Sequence, residues 1–170
     1  MISPAYVQRM ARYNRWQNQN LYGCSDTLPD AARKRDGGAF FGSIQGTLAH
    51  LLWGDMIWMK RFHPAGPAAP TRPDNASSFV HLWPDWDDLR QRRSAFDTHI
   101  IDWADGVPAD WLAGDLTWTS SDGSRTSTAP LGMLVAHFFN HQTHHRGQVH
   151  CLLTQAGAKP GDTDLMLLRG

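Results

Sequence analysis

The chain has 170 residues, of which 41% are hydrophobic and 19% are charged, a length and composition typical of one folded domain rather than of a disordered chain. Sixteen basic residues balance sixteen acidic ones, which argues against nucleic acids or anionic membranes as general partners. The two cysteines, Cys24 and Cys151, are too few for a disulfide framework or a thiolate zinc site. We therefore expect a cytoplasmic protein with no nucleic-acid partner and no membrane partner.

Four segments repeat apolar side chains at helical spacing. They cover residues 4–21, 43–62, 85–104 and 130–156, and Ser43 is the predicted N-cap of the second. Residues 116–119 and 125–128 flank the turn-forming residues 121–124, which predicts a small β-hairpin. The pattern favours an all-α fold: an antiparallel four-helix bundle with a small β-hairpin insert before the last helix, forming a single domain over residues 1–170. The apolar residues 165–168 are expected to dock on the bundle or on a second subunit.

The last predicted helix contains the most informative histidines of the chain. At about 100° per residue, His141 and His145 lie one turn apart on the stripe that faces the interior, and His137 lies at its edge. Two neutral imidazoles at this spacing converge on one divalent ion. A third ligand has to come from another helix, and His50 is the best candidate because it faces inward on the second one.

Two glycines, Gly46 and Gly54, lie one helical turn to either side of His50. Glycine costs a helix interior about 1 kcal/mol relative to alanine, so we expect the pair to leave an open volume beside the ion or to allow close helix approach. In the alternative interpretation, the three histidines are hydrogen-bonded core residues. His137 is either a fourth ligand or a neighbour of the ligands. Three carboxylates are candidates for orienting a ligand imidazole through its second nitrogen: Asp55, Asp102 and Asp164.

Two stretches, residues 47–62 and 137–148, resemble the DinB family, and the His-His-Arg-Gly-Gln run in the second is the specific part. The resemblance extends over nearly the whole chain. It implies a four-helix bundle, often a homodimer, in which three histidines hold a divalent ion, with zinc or nickel as the expected metal. By motif position these ligands are His50, His141 and His145. Several relatives conjugate or isomerise small molecules with a low-molecular-weight thiol such as bacillithiol, mycothiol or glutathione.

Three functions are compatible with such a site. In the first, the metal activates a thiol for transfer to, or isomerisation of, a small electrophilic substrate, and Arg61 or Arg146 contacts an anionic group. In the second, the metal activates water and the protein is a hydrolase. In the third, the protein is a non-catalytic, metal-stabilised binding module of a stress response. All three predict weaker metal binding below about pH 6, because histidines bind metal in their neutral form.

Overall fold

The computed structural model describes residues 2–120 and 123–169 and is mostly helical, with 64% helix and a small two-stranded antiparallel sheet before the last helix. In chain order the elements are α1 (Pro4–Asp26), α2 (Asp30–Lys34), α3 (Ile44–Phe62), a 3-10 helix (Ala76–His81), α4 (Trp86–Gly106), α5 (Ala109–Ala113), β1 (Asp115–Thr119), β2 (Thr126–Pro130), α6 (Leu131–Gln155) and a second 3-10 helix (Leu165–Leu167). The predicted helices correspond to α1, α3, α4 and α6. Sequence periodicity missed α2, α5 and both 3-10 helices, because each is too short to show a period.

Side-chain caps explain where two of the long helices begin. The Ser43 hydroxyl accepts a hydrogen bond from the Gly46 backbone N–H at 3.0 Å, and the Asp85 carboxylate accepts one from the Asp88 N–H at 2.8 Å. Both satisfy backbone donors that have no partner within the helix. The last helix begins at Leu131, one residue later than predicted, because Pro130 completes β2 and forms the N-cap.

The predicted hairpin is present as β1 and β2, which pair antiparallel with Asp115 opposite Pro130 and Thr117 opposite Thr128. The hydroxyls of Thr117 and Thr128 are 2.7 Å apart across the pair. Half of the predicted turn, residues 121 and 122, lies outside the described residues.

The long helices contact one another in a ring: α1 packs against α4 and α6, and α3 packs against the same two helices. Large side chains from several of these helices fill the space between them. The fully buried ones include Leu21, Leu52, Met59, Leu89, Ile100, Phe138 and Phe139. Because α3 and α6 are neighbours, their inward-facing histidines share one interface. Among the described residues, no helix combines the length and apolarity needed to cross a membrane.

A buried ion-pair cluster ties three helices together. The Arg93 guanidinium of α4 donates to Asp55 of α3 at 2.7 Å and lies 2.8 Å from the Asp97 carboxylate. The Asn18 amide of α1 also donates to Asp97, at 2.8 Å. The side chains of Arg93, Asp55 and Asp97 are at most 3% exposed, and buried charges of this kind are tolerated only when they are paired. The cluster therefore fixes α1, α3 and α4 relative to one another.

The segment after α6 runs along α1. The Tyr13 hydroxyl donates to the Thr163 carbonyl at 2.5 Å, and the Gln17 amide donates to the Asp162 carbonyl at 3.0 Å. The following 3-10 helix (Leu165–Leu167) leaves apolar side chains in solvent, with Met166 87% exposed. The segment thus docks on the helices through its backbone, whereas its apolar side chains do not enter the core.

Candidate metal centre

Three imidazoles from two helices meet at the interface between α3 and α6. His50 lies on α3, His141 and His145 lie on α6, and one ring nitrogen of each lies within 4.8 Å of those of the other two. Nε2 of His50 and Nε2 of His141 are 3.2 Å apart. Two nitrogens bound tetrahedrally to one zinc ion at about 2.0–2.1 Å are about 3.3–3.4 Å apart. This pair therefore already has the separation that two ligands of one ion require.

Gly54 makes room for one of these imidazoles. An ideal Cβ built on Gly54 would lie 2.9 Å from Cε1 of His141, nearer than real Cβ atoms approach. The Cβ of an alanine at position 46 would lie 2.5 Å from the Phe41 carbonyl oxygen. Gly54 thus makes room for the His141 ring beside the cluster, and Gly46 makes room for the Phe41 backbone in the loop before α3.

Aromatic rings enclose His50. Phe41, in the loop before α3, stacks on His50 with ring centroids 3.7 Å apart and planes inclined by 15°. The same phenyl ring meets His145 edge-on at 5.3 Å, and Phe79 meets His50 edge-on at 5.0 Å. These contacts restrict rotation of the His50 ring and exclude water from one side of the histidine cluster.

Gln148 orients the third imidazole. Its side-chain oxygen lies 2.7 Å from Nδ1 of His145, and its amide nitrogen lies 3.4 Å from Nε2 of His144. Since an amide oxygen only accepts hydrogen bonds, Nδ1 of His145 carries the proton and Nε2 keeps the lone pair needed to bind metal. Residues with this role commonly hold metal-ligating histidines in place. The i,i+3 spacing from His145 was the sequence signal that could have identified Gln148.

The three histidines are held in the neutral form. Burial, together with a smaller effect of the neighbouring imidazoles, lowers the pKa of His50 to about 2 and that of His141 to about 4. Burial also lowers the pKa of His145. Neutral imidazole is the form that binds divalent metals, so the donor set fits an ion such as zinc or nickel.

The hydrogen bonds of the cluster meet the core-histidine alternative only in part. Buried polar atoms of structural histidines normally have hydrogen-bond partners. Nε2 of His50 and Nε2 of His141 lie within hydrogen-bond distance of each other, whereas the buried Nδ1 atoms of both rings have no partner among the described residues and would gain none from an ion bound at Nε2.

Two other candidate residues, His137 and Arg61, lie next to the histidine cluster. His137 is exposed, with its ring centroid 6.2 Å from that of His141 and 5.2 Å from that of Trp58. The Arg61 guanidinium lies over the Trp58 ring at 4.7 Å. Both residues lie beside the cluster, but neither belongs to the group of converging ring nitrogens.

The remaining candidates lie elsewhere. Asp55 is engaged by Arg93 in the buried ion pair, and burial raises the pKa of its carboxyl to about 6 against the opposing effect of Arg93. Arg146 is buried on the α1 side of α6 and donates to Asn14. Asp102 lines a separate hollow beside α5, and Asp164 is the N-cap of the final 3-10 helix. In the described chain, none of these carboxylates is hydrogen-bonded to an imidazole of the cluster.

An open cleft of about 950 Å³ reaches the histidine cluster at His50. Its aromatic walls include Phe41, Trp53 and Phe79, and its cationic side includes Arg61 and Arg72. A small molecule in this cleft would lie next to a metal ion held by the three histidines. The arrangement combines a three-nitrogen donor set with access from solvent, as catalytic metal sites do.

Comparison with known proteins gives one match. The sequence profile of the DinB family matches residues 1–169, a span that includes both histidine-bearing helices. No curated protein and no solved structure matches the chain.

Proposed function

The chain belongs to the DinB family, and from this membership we propose that it is a metal-dependent enzyme in which His50, His141 and His145 bind one divalent ion, zinc or nickel. The observation that carries the proposal is the convergence of three imidazole nitrogens within 4.8 Å at the end of an open cleft. When bound, such an ion supplies Lewis acidity, which lowers the pKa of a thiol or water and polarises an electrophile.

Each residue of the site has a role in this proposal. Nε2 of His50 and of His141 face the ion, and Gly54 provides the room for the His141 ring. Gln148 holds the proton of His145 on Nδ1 so that Nε2 is free to bind. Phe41 covers one side of the cluster, so substrate approaches from the cleft. We propose that His137, which lies beside the cluster, contacts substrate or a group bound to the ion.

We propose thiol-dependent transfer to, or isomerisation of, a small electrophilic molecule as the reaction. In the transfer, the S–H bond breaks and its proton goes to solvent, a bond forms between the thiol sulfur and the electrophilic carbon, and the bond from that carbon to its leaving group breaks, so that the leaving group departs with the electron pair. The cleft has room for a thiol and a small electrophile together, since its volume of about 950 Å³ lies at the upper end of the range for small-molecule sites. The low-molecular-weight thiol is thus the proposed cosubstrate.

We also propose an architecture, an oligomeric state and a cellular location for the protein. The ring of contacts among α1, α4, α3 and α6 supports an antiparallel four-helix bundle forming a single domain. The exposed apolar side chains of residues 165–167 support a homodimer. A cytoplasmic location is consistent with the two free cysteines, Cys24 and Cys151.

The test compares zinc-loaded and nickel-loaded protein with a His141→Ala variant in a panel of thiols and electrophiles. His81→Ala, an exposed histidine outside the cluster, is the matched control. We expect the His141 variant to lose metal and turnover and the control to retain both. Equal rates for wild type and His141→Ala would contradict the proposal.

The same panel separates the alternatives. Turnover that needs metal but no thiol would make the protein a hydrolase. Metal binding that raises stability without turnover or exchangeable coordination positions would make it a metal-stabilised binding module.

A further inference from the structure

The walls of the cleft beside His50 differ in chemistry from the protein as a whole. The chain has a formal net charge of zero, yet the described residues that line the cleft include three cations and no Asp or Glu. The cations are Lys60, Arg61 and Arg72. A cleft lined by one sign of charge concentrates ligands of the opposite sign.

Two of these cations keep N–H donors that no described residue accepts from. The Lys60 ammonium donates to the backbone carbonyls of Pro64 and Gly66, so it holds a turn. Arg61 and Arg72 form no ion pair with any described residue. Arg61 is half-buried and stacks over Trp58, which restricts its guanidinium without using its N–H donors. Both arginines therefore retain donors for a ligand.

The position of Arg72 is defined by the fold. The Trp53 indole N–H donates to the Pro70 carbonyl at 2.9 Å, which holds the segment carrying Arg72 against the cleft. Arg72 and His50 line the same cleft. A group held by Arg72 would thus lie close to the metal centre.

An exposed aromatic ring stands at the same cleft. Phe40 is 74% exposed although it is a large apolar side chain, and it lies edge-on to Phe41 with centroids 5.0 Å apart. An exposed phenyl ring at the mouth of a cleft gains free energy when a ligand covers it.

We propose that this cleft binds a small molecule that carries a carboxylate and an apolar group, with Arg61 and Arg72 holding the carboxylate and Phe40 covering the apolar group. A guanidinium suits this role because its fork of N–H donors matches the two oxygens of a carboxylate. The inference rests on the proposed function in that the bound molecule is one of its two reactants, either the electrophile or the thiol.

The test measures binding by isothermal titration calorimetry in the metal-free and the zinc-loaded protein. One pair of probes is 3-phenylpropionate and its neutral amide, and the second pair is N-acetylcysteine and its neutral amide. The variant is the double substitution Arg61→Gln with Arg72→Gln. The matched control is Arg90→Gln with Arg92→Gln, which removes the same charge from the exposed face of α4. Circular dichroism verifies that both variants fold.

We expect the carboxylate of at least one pair to bind about tenfold more tightly than its amide, the size expected for two partly exposed ion pairs. This preference should fall below about twofold in the cleft variant and persist in the control. A preference confined to the phenyl pair assigns the carboxylate to the electrophile, and one confined to the thiol pair assigns it to the thiol. No preference in either pair, no binding of any probe, or a preference that survives in the cleft variant would overturn the inference.

The metal-free arm keeps this result separate from the proposed function. Selectivity for the carboxylate in metal-free protein arises from the arginines and does not depend on the histidines. If wild type binds neither zinc nor nickel while the selectivity persists, the proposed function fails and the inference about the cleft stands. If zinc binds but the preference for the carboxylate over the amide is missing, the inference about the cleft fails and the proposed metal site stands.

Discussion

The close approach of Gly54 to His141 makes a single methyl group a sharp probe of the metal centre. In Gly54→Ala the new Cβ would lie 2.9 Å from Cε1 of His141, whereas ordinary contacts begin at 3.4 Å. The imidazole therefore has to move by roughly 0.5–1 Å, and disturbing the groups that hold metal-ligating histidines in place costs about 10–100-fold in metal affinity. Meanwhile alanine is favoured over glycine in a helix interior by about 1 kcal/mol. We expect zinc affinity to fall by about 10–100-fold while the metal-free protein loses little stability.

Gly23→Ala is the matched control, because Gly23 also lies within a long helix and a Cβ there meets nothing within 4 Å. Zinc affinity is measured by competition with a chromophoric chelator, and the free energy of unfolding of the metal-free protein by urea denaturation. A loss of zinc affinity without a loss of unfolding free energy indicates a displaced ligand, whereas a loss of both indicates a damaged fold. Equal zinc affinities for the Gly54 and Gly23 variants would show that His141 is not a ligand or that the site tolerates its displacement.

Four further predictions address Gln148, the pH dependence of the histidine cluster and the buried ion pair. Gln148→Leu should weaken zinc binding by about 10–100-fold, because His145 loses the acceptor of its Nδ1 proton; Gln148→Glu should restore most of it in the same chelator assay. Zinc affinity should fall by at most about tenfold between pH 7.5 and 5.5, against about a thousandfold for three histidines of ordinary pKa, because burial keeps two ligands neutral. By the same linkage, the metal-free protein should lose stability as the pH falls below about 6.5, since the unfolded chain takes up protons first. Arg93→Met should cost about 3–5 kcal/mol in urea denaturation by leaving Asp55 and Asp97 without their cation, and a loss below about 1 kcal/mol would refute that reasoning.

Helical periodicity was sufficient to select the three histidines. His141 and His145 share a stripe because four residues span nearly one turn, and the same rule turns His50 inward. The DinB resemblance selected the same three residues, and the profile match over residues 1–169 confirms the family. The long helices were predictable for the same reason, since each repeats its pattern over several turns.

Helical periodicity could not predict contacts between residues that lie far apart in the sequence. Phe41 lies in a loop, so no repeat indicates that it stacks on His50. Asp55 appeared available to orient an imidazole, but its partner Arg93 is 38 residues away in the chain. Arg146 directly follows His145, and a step of about 100° around α6 turns it away from the cluster. Its partner is Asn14 on α1.

The ion-pair cluster around Arg93 has a practical consequence for work with this protein. Because these charges join α1, α3 and α4 without any of the three histidines, we expect these helices to stay assembled when no metal is bound. A preparation stripped with a chelator should therefore remain folded and accept ions again. Returning one kind of ion at a time to such a preparation, and recording which restores turnover, would identify the native metal by reconstitution.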